Sequence, residues 1–163
     1  MKKTAPVRIL FVCHGNICRS PMAEFCMKDL VRKAGCEKDF AIASAALHTD
    51  EIGSGVYPPA RRELAAHGIS CDGKTARLAT AEDYRDFDLI VGMDCENRYD
   101  LKRLFPRDPE RKLSLLLDWT ENPRDVADPW YTRDFSQTWR DVSEGCAAML
   151  RALSPTGDST RRQ

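Results

Sequence analysis

A cysteine and an arginine that could bind and attack an anion lie in the stretch FVCHGNICRSP near the N-terminus. Cys13 ends an apolar run, and Gly15 permits a tight turn. Ser20 and Pro21 are typical of the start of a helix, whose unpaired backbone N–H groups and dipole attract anions. Arg19 adds a planar guanidinium that can pair with two phosphate oxygens. The stretch therefore predicts a phosphate-binding loop.

Cys13 lies at the start of this loop, where a helix N-terminus and an arginine both stabilise a thiolate. We expect it to be ionised at neutral pH and to face the anion that the loop holds. A nucleophilic thiolate beside a bound phosphate predicts phosphoryl transfer through a phosphocysteine. That reaction also needs a proton donor for the leaving group and a base for the attacking water.

Three aspartates late in the chain, Asp118, Asp125 and Asp128, qualify as this acid and base because each lies at or after the fourth predicted strand. Asp128 is favoured because the proline that follows it restricts its backbone to extended conformations. Trp130 and Tyr131 could shelter its carboxyl group and wall a cleft for an aromatic substrate. From these residues alone, a simple turn at the Asp-Pro pair is the alternative.

Strands that alternate with helices are expected to position these residues. The predicted strands are 7–13, 40–47, 88–94 and 112–119, and the predicted helices are 20–35, 58–68, 80–87, 95–105 and 136–153. Such alternation predicts right-handed β-α-β crossovers and a parallel sheet with helices on both faces. Ligands of such sheets bind at the carboxyl ends of the strands, where Cys13 lies.

The composition is that of a globular protein without overall charge. The chain has 163 residues, 42% hydrophobic and 31% charged, with 25 basic and 25 acidic side chains. We expect one domain over residues 1–153 and a flexible polar tail over 154–163. A net charge of zero argues against nucleic acid or a membrane surface as partner, and no apolar run is long enough to span a bilayer.

The seven cysteines show no metal-binding spacing, and the N-terminal residues lack a secretory signal pattern. We therefore expect a cytoplasmic protein with mostly reduced thiols, no metal site and no cofactor.

The motif VCHGNICRSP resembles the signature of the low-molecular-weight protein tyrosine phosphatases. The segments SAA, HGI, DLIVGMD and VADPWY extend this resemblance over nearly the whole chain. It implies a three-layer α/β fold, Rossmann-like and of phosphotyrosine phosphatase I type, with a four-stranded parallel sheet flanked by helices. It also implies hydrolysis of phosphotyrosine in proteins or peptides, inhibition by phosphate-like oxyanions, and a monomer or weak self-association.

The resemblance implies a role for each matching residue. Cys13 would be the nucleophile, Arg19 the phosphate ligand and Asp128 the general acid and base. Ser20 would stabilise the thiolate, and Asn16 would fix the strained shape of the loop. The full set of expected substrate-binding residues is His14, Gly15, Asn16, Ile17, Cys18, Ser20, Asp50, Trp130 and Tyr131.

Three further residues receive supporting roles from the resemblance. Ser44 and His67 would support the loop asparagine by hydrogen bonds. Cys18 would form a disulfide with Cys13 under oxidation and so protect the nucleophile. A small buried residue facing the helix is the alternative reading of Cys18.

Two positions depart from the family pattern. Asp50 corresponds to a tryptophan or tyrosine that forms one wall of the cleft in many members. An acidic side chain there is expected to weaken stacking on a phosphotyrosine ring and to disfavour acidic peptides. Trp130 replaces the first of two tyrosines, which keeps an aromatic wall but removes one hydroxyl group.

Three other activities are less consistent with the residues. Arsenate reductases need a further redox pair of cysteines, which Cys71 and Cys95 do not resemble. Protein-arginine phosphatases have a threonine where this chain has Ile17. A non-catalytic phosphate-binding or redox-sensing module has no need of Asp128.

Overall fold

The centre of the structure, a computed structural model that describes residues 5–154, is a sheet of four parallel strands in the order β2-β1-β3-β4. The strands are β1 (Val7–Cys13), β2 (Phe40–Ala46), β3 (Leu89–Gly92) and β4 (Leu113–Leu115). The helices are α1 (Arg19–Lys33), α2 (Pro58–Ala66), α3 (Asp83–Asp86), α4 (Cys95–Leu104), α5 (Pro129–Thr132) and α6 (Phe135–Leu153). From residue 155 onward the predicted tail lies outside the described residues.

Strand β1 is central, because it pairs with β2 along its whole length and with β3 on its other side. Successive side chains of a strand point to opposite faces of the sheet. Ile9, Phe11 and Cys13 therefore pack against α1 and α6, whereas Leu10 and Val12 pack against α4. Helices on both faces of a parallel sheet confirm the predicted three-layer α/β fold.

Helix α1 begins one turn away from the end of β1 and sets the position of the loop between them. The first helical hydrogen bond runs from the Met22 N–H to the carbonyl oxygen of Cys18, at 3.1 Å. Cys18 is therefore the N-cap, and the helix begins at Arg19, one residue before the predicted start at residue 20. The Ser20 side chain caps no N–H group and is free for contacts inside the loop.

The fourth strand is shorter than predicted. Pairing with β3 ends at Leu115, and the chain continues as a 3-10 turn, Leu116–Trp119. The apolar run that predicted a strand here is a core segment, since Leu116 and Leu117 are fully buried. Among residues 5–154, none of the helices has the length and hydrophobicity that a membrane crossing requires.

Candidate active site

The loop that the sequence predicts to bind phosphate, residues 13–19, joins the end of β1 to the first turn of α1 and is called the phosphate-binding loop below. The Cys13 sulfur is buried, with the residue 3% exposed, and it lies 3.0 Å from the Ser20 hydroxyl oxygen. The Ser20 backbone N–H also donates to this sulfur, at 3.4 Å. A serine in the first turn of α1 thus offers two groups to the Cys13 sulfur at the positive end of the helix dipole.

Asn16 holds the shape of this loop from behind. Its φ of 60° is in the left-handed region, which asparagine tolerates better than most residues. Its side-chain amide donates to the hydroxyl oxygens of Ser20, at 2.8 Å, and Ser44, at 2.9 Å. Because Ser20 accepts from Asn16, its own hydrogen is available to donate to the Cys13 sulfur.

A charged cluster around the buried Glu24 supports Ser44 in turn. The Ser44 hydroxyl donates to a Glu24 carboxylate oxygen at 2.6 Å, and the Lys28 ammonium donates to the other oxygen at 2.6 Å. The Lys74 ammonium donates to the Ser44 carbonyl oxygen at 2.8 Å and lies 3.5 Å from Glu24. Burial lowers the pKa of Lys74, and the Glu24 carboxylate opposes that shift. The cluster thereby orients the Ser44 hydroxyl toward Glu24 and its lone pair toward the loop.

The expected role of His67 in this support is not observed. Its Nε2 lies 3.0 Å from a Glu63 carboxylate oxygen, and its ring stacks on Trp139 with centroids 4.1 Å apart. The end of α2 carries His67 against α6, away from Asn16. The Arg77 backbone N–H instead donates to the Asn16 side-chain oxygen at 3.3 Å, and Lys74 supports Ser44. The place of Lys74 in a polar loop gave no signal in the sequence.

Arg19 is nearly fully buried, at 3% exposure, with its guanidinium held on three sides. It donates to an Asp94 carboxylate oxygen at 2.5 Å and to the Val126 carbonyl oxygen at 2.9 Å, and it lies 3.4 Å from Asp128. Burial acts to lower the pKa of Arg19, but interactions with Cys13, Asp94 and Asp128 outweigh it and raise that pKa. The guanidinium is therefore a fixed cation at the cleft.

Asp94 was not recognised from the sequence as a site residue. It follows β3 by two positions and caps α4, accepting from the Asn97 N–H at 2.9 Å. Its position at the carboxyl end of a predicted strand could have identified Asp94, since β3 ends at the same edge of the sheet as β1.

Of the three candidate aspartates, Asp128 is the one that lines the cleft. It is the N-cap of α5, and one of its carboxylate oxygens accepts from the Trp130 N–H at 3.0 Å. Asp118 instead pairs with Arg98 at 2.6 Å. Asp125 lies 3.4 Å from the Cys95 sulfur.

The cleft above the loop has a volume of about 280 Å³ and mixes aromatic, charged and thiol groups. It is lined by Cys13, His14, Gly15, Ile17, Cys18, Arg19, Asp50, Glu51, Glu96, Asp128, Trp130 and Tyr131. Trp130 and Tyr131 are exposed at 42% and 81% and leave an aromatic surface open to solvent. Asn16 and Ser20, expected among the substrate-binding residues, are buried behind the loop and do not line the cleft.

Asp50 faces the cleft but is held by a loop residue. His14 Nε2 lies 2.7 Å from an Asp50 carboxylate oxygen, and this hydrogen bond lowers the pKa of Asp50. The His14 ring stacks on His48, with centroids 4.1 Å apart, and His48 contacts Asp100 at 2.8 Å. His48 was also missed from the sequence.

The cysteines near the loop differ in environment. Cys18 is buried, and desolvation together with its interactions with Cys13 and Asp128 raises its pKa to about 12. Cys71 is buried in a separate apolar cluster, whereas Cys95 is exposed at the start of α4. All seven cysteines are free thiols.

Comparisons with known proteins agree on one family. A family model described as low molecular weight phosphotyrosine protein phosphatase matches residues 8–158. The low molecular weight protein-tyrosine-phosphatase YfkJ of Bacillus subtilis is 37% identical over 149 residues, which are 90% of this chain and 96% of that protein.

Solved structures give the same result. The crystal structure of YfkJ superposes with a TM-score of 0.90 at 34% identity, covering 99% of this chain and 100% of that one. A Drosophila protein described as an arginine phosphatase superposes with a TM-score of 0.82 at 29% identity, covering 90% of this chain and 97% of that one.

Proposed function

This chain belongs to the low molecular weight phosphotyrosine protein phosphatase family, and from that premise we propose that it hydrolyses phosphotyrosine in proteins and peptides through a phosphocysteine on Cys13. The observation that carries the proposal is the convergence of Cys13, Arg19 and Asp128 on one cleft with an aromatic wall. A nucleophile, a phosphate ligand and a proton donor are the three groups that the reaction requires.

In the first step, the Cys13 thiolate attacks the phosphorus atom of the substrate. The bond between phosphorus and the phenolic oxygen breaks, and Asp128 in its acid form donates a proton to that oxygen. Arg19 and the backbone N–H groups of the loop bind the phosphoryl oxygens, where negative charge is held during transfer. The products are a free tyrosine side chain and a phosphocysteine.

In the second step, water attacks the phosphocysteine. The Asp128 carboxylate accepts a proton from the water as its oxygen bonds to phosphorus and the sulfur–phosphorus bond breaks. Ser20 stabilises the departing thiolate by a hydrogen bond, which the 3.0 Å contact supports. Inorganic phosphate leaves, and phosphate-like oxyanions are expected to compete with substrate for the same loop.

The substrate ring is proposed to lie between Trp130, Tyr131 and the opposite rim. Asp50 and Glu51 form part of that rim. The carboxylates would disfavour acidic residues next to the phosphotyrosine, because like charges repel. The proposed substrate is a phosphorylated protein or peptide in the cytoplasm, where the Cys13 thiol stays reduced.

The test is turnover of p-nitrophenyl phosphate by the wild-type protein and by two serine variants. Cys13→Ser is expected to abolish turnover, whereas Cys95→Ser, which removes an exposed thiol outside the cleft, is expected to retain it. Absence of turnover by the wild-type protein, or full activity of Cys13→Ser, would refute the proposal.

A panel of phosphopeptides then identifies the substrate. Peptides of one sequence that carry phosphotyrosine, phosphoarginine or phosphoserine are compared by their kcat/KM. We expect phosphotyrosine to be hydrolysed fastest, since Ile17 stands where arginine phosphatases have threonine. Faster hydrolysis of phosphoarginine would assign this chain the activity named for the Drosophila relative.

A further inference from the structure

Tyr57 lies between the phosphate-binding loop and the segment that carries Asp128. Its backbone N–H donates to the Ile17 carbonyl oxygen at 2.9 Å, and its partly buried ring packs in a cluster with Ile17 and Cys18. Its own carbonyl oxygen accepts from the Arg61 N–H at 3.0 Å, at the first turn of α2. The Tyr57 ring is therefore fixed relative to the phosphate-binding loop.

On its other side, Tyr57 contacts two residues of the Asp128 segment. Its ring centroid lies 5.1 Å from that of Trp130, with the planes tilted by 54°. Its hydroxyl oxygen accepts a hydrogen bond from the Arg133 guanidinium at 3.1 Å. The same guanidinium lies 5.4 Å from the Trp130 ring, within the range of a cation–π contact. Each of the three side chains thus contacts the other two; we call them the Tyr57 cluster.

The backbone of Arg133 fits this arrangement. Arg133 follows α5 with φ at 61°, and its N–H donates to the Pro129 carbonyl oxygen at 2.9 Å. A non-glycine residue in the left-handed region is strained and persists where surrounding contacts hold it. The contacts of the Arg133 side chain with Tyr57 and Trp130 are such contacts.

Trp130 connects this cluster to the proton donor. It provides a wall of the cleft, and its backbone N–H donates to the Asp128 carboxylate at 3.0 Å. A displacement of Trp130 would therefore move both the wall that contacts the substrate ring and the carboxyl group that protonates the leaving oxygen.

We propose that Tyr57 is a positioning residue for the phosphatase reaction, an inference that rests on the proposed function. Through Trp130 and Arg133 it holds α5 and the Asp128 carboxyl group at a fixed spacing from Cys13. The Cys13 sulfur is held by Ser20, and Arg19 is held by Asp94 and the Val126 carbonyl oxygen as well as by Asp128, so neither requires Tyr57. Its loss should affect proton donation and ring binding, and should spare phosphate binding.

The experiment compares phenyl phosphate, whose leaving group needs protonation, with p-nitrophenyl phosphate, whose leaving group needs it less. For Tyr57→Leu, which retains apolar bulk against Ile17, we expect kcat/KM to fall about tenfold for phenyl phosphate and about twofold for p-nitrophenyl phosphate. The inhibition constant of inorganic phosphate should stay unchanged, because Arg19 and the loop N–H groups are retained.

Two further variants separate the contacts. Tyr57→Phe removes only the hydroxyl group, and Arg133→Asn removes the guanidinium while keeping a residue that tolerates the left-handed region. Both variants should lower kcat/KM for phenyl phosphate more than kcat/KM for p-nitrophenyl phosphate, as Tyr57→Leu should. The double variant should lose no more than Arg133→Asn alone, since Arg133→Asn already removes the hydrogen bond that Tyr57→Phe removes.

A second tyrosine–arginine pair provides the matched control. Arg103 lies 5.8 Å from the ring of Tyr99 on α4, and this pair does not line the cleft. Tyr99→Leu should leave both kcat/KM values unchanged. Melting temperatures show which variants are folded. If Tyr57→Leu is unfolded, the test uses Arg133→Asn, whose altered side chain is exposed. The quantity compared is then its ratio of kcat/KM for phenyl phosphate to kcat/KM for p-nitrophenyl phosphate.

Equal losses for the two esters in folded variants, or an equal loss in Tyr99→Leu, would overturn the role of Tyr57. An altered phosphate inhibition constant would also overturn it, because the phosphate-binding loop itself would then have changed. A wild-type protein inactive on both esters would instead refute the proposed function, and this inference with it.

Discussion

At the scale of single residues, the two cysteines of the phosphate-binding loop have opposite environments. The Cys13 sulfur lies by the Ser20 hydroxyl and backbone N–H, at the N-terminus of α1. Cys18 is surrounded by apolar atoms, and desolvation raises its pKa to about 12. One thiol is therefore suited to attack phosphorus, and the other is almost entirely protonated near neutral pH.

This difference makes the expected oxidation of the loop dependent on pH. Peroxide converts the Cys13 thiolate to a sulfenic acid, and the Cys18 thiolate then attacks that sulfur, expelling hydroxide and forming the disulfide. Because the pKa of Cys18 is raised, the fraction of Cys18 present as thiolate increases throughout the range from about pH 6 to about pH 9. Recovery of activity by a dithiol after peroxide treatment should increase over the same range.

Mass spectrometry of the treated protein should show a Cys13–Cys18 bridge, increasing with pH. The control is Cys18→Ser, which should lose activity irreversibly as Cys13 proceeds to sulfinic and sulfonic acid. A bridge that forms equally at each pH, or recovery that is unchanged in Cys18→Ser, would contradict this expectation.

The substitution Asp128→Asn tests the role of Asp128 as proton donor. Asp128→Asn should reduce kcat/KM for phenyl phosphate by about 10²-fold, because that leaving group needs a proton, and by less than about tenfold for p-nitrophenyl phosphate. The control is Asp125→Asn, whose side chain lies outside the cleft. Equal losses for both substrates would show that Asp128 does not donate the proton.

Site residues could be identified from the sequence where they lie close together in the chain or have a distinctive neighbour. Cys13 and Arg19 share one loop, and Asp128 precedes a proline and two aromatic residues. Asp94 and Lys74 reach the site through the folding of distant segments, so Asp94 had only its place at the end of a predicted strand as a signal, and Lys74 had none.

At the scale of secondary structure, the sequence pattern predicted the four strands and every α-helix of residues 5–154 except α5, but not how tightly these elements pack. Residues 116–119 illustrate this limit: an apolar run can be a buried strand or a buried turn. Here the Asp118 carboxylate accepts from the Leu115 N–H at 3.0 Å and closes the 3-10 turn. Leu116 then packs directly against Gly145 of α6.

A substitution at Gly145 has two opposing effects on stability. A Cβ atom at Gly145 would lie 2.4 Å from Cγ of the fully buried Leu116. Alanine favours a helix over glycine by about 1 kcal/mol, whereas overpacking of a core costs about 1–3 kcal/mol and more when the neighbour cannot move. Gly145→Ala should therefore lower the melting temperature by several degrees, despite the better helix former.

Calorimetry or circular dichroism measures that change. Ala147→Gly, at a partly exposed position of α6, reports helix propensity alone and should destabilise by about 1 kcal/mol. A Gly145→Ala protein more stable than the wild type would show that the contact between α6 and Leu116 relaxes at little cost.

At the scale of the whole molecule, the candidate active site and one carboxylate whose contribution to stability is lost in acid lie at opposite ends of the sheet. Cys13 is at the carboxyl end of β1, whereas Arg8 is near its amino end and pairs with Asp88, just before β3. Both the backbone N–H and the guanidinium of Arg8 donate to this carboxylate, at 2.8 Å and 3.0 Å. These hydrogen bonds lower the pKa of Asp88 below its ordinary value of 3.8.

A carboxylate with a lowered pKa in the folded state stabilises the fold above its unfolded-state pKa. That contribution is lost as the pH falls through the folded-state value. The melting temperature should therefore decrease as the pH falls below about 4, and Asp88→Asn should flatten that decrease. Asp72→Asn, at a carboxylate that is 85% exposed, is the control. An identical pH dependence in Asp88→Asn and the wild type would contradict the assignment.

The overall topology could be predicted because β-α-β alternation permits few arrangements, and the three-layer sheet was confirmed. The contacts that join distant segments could not be predicted, because they depend on where the loops end. Tyr57 is the clearest case: it precedes a pair of prolines, and its nearness to Trp130 follows only from the packing of α2, α5 and the phosphate-binding loop.

The central claim is that phosphate passes through Cys13, and the most direct measurement is to trap that intermediate. The wild-type protein is mixed with a phosphotyrosine peptide, quenched in acid during turnover and digested, and the peptides are analysed by mass spectrometry. We expect a phosphoryl adduct on Cys13, absent from Cys18 and from the Cys13→Ser protein. Steady turnover with no adduct on Cys13, or with an adduct on another residue, would contradict the account.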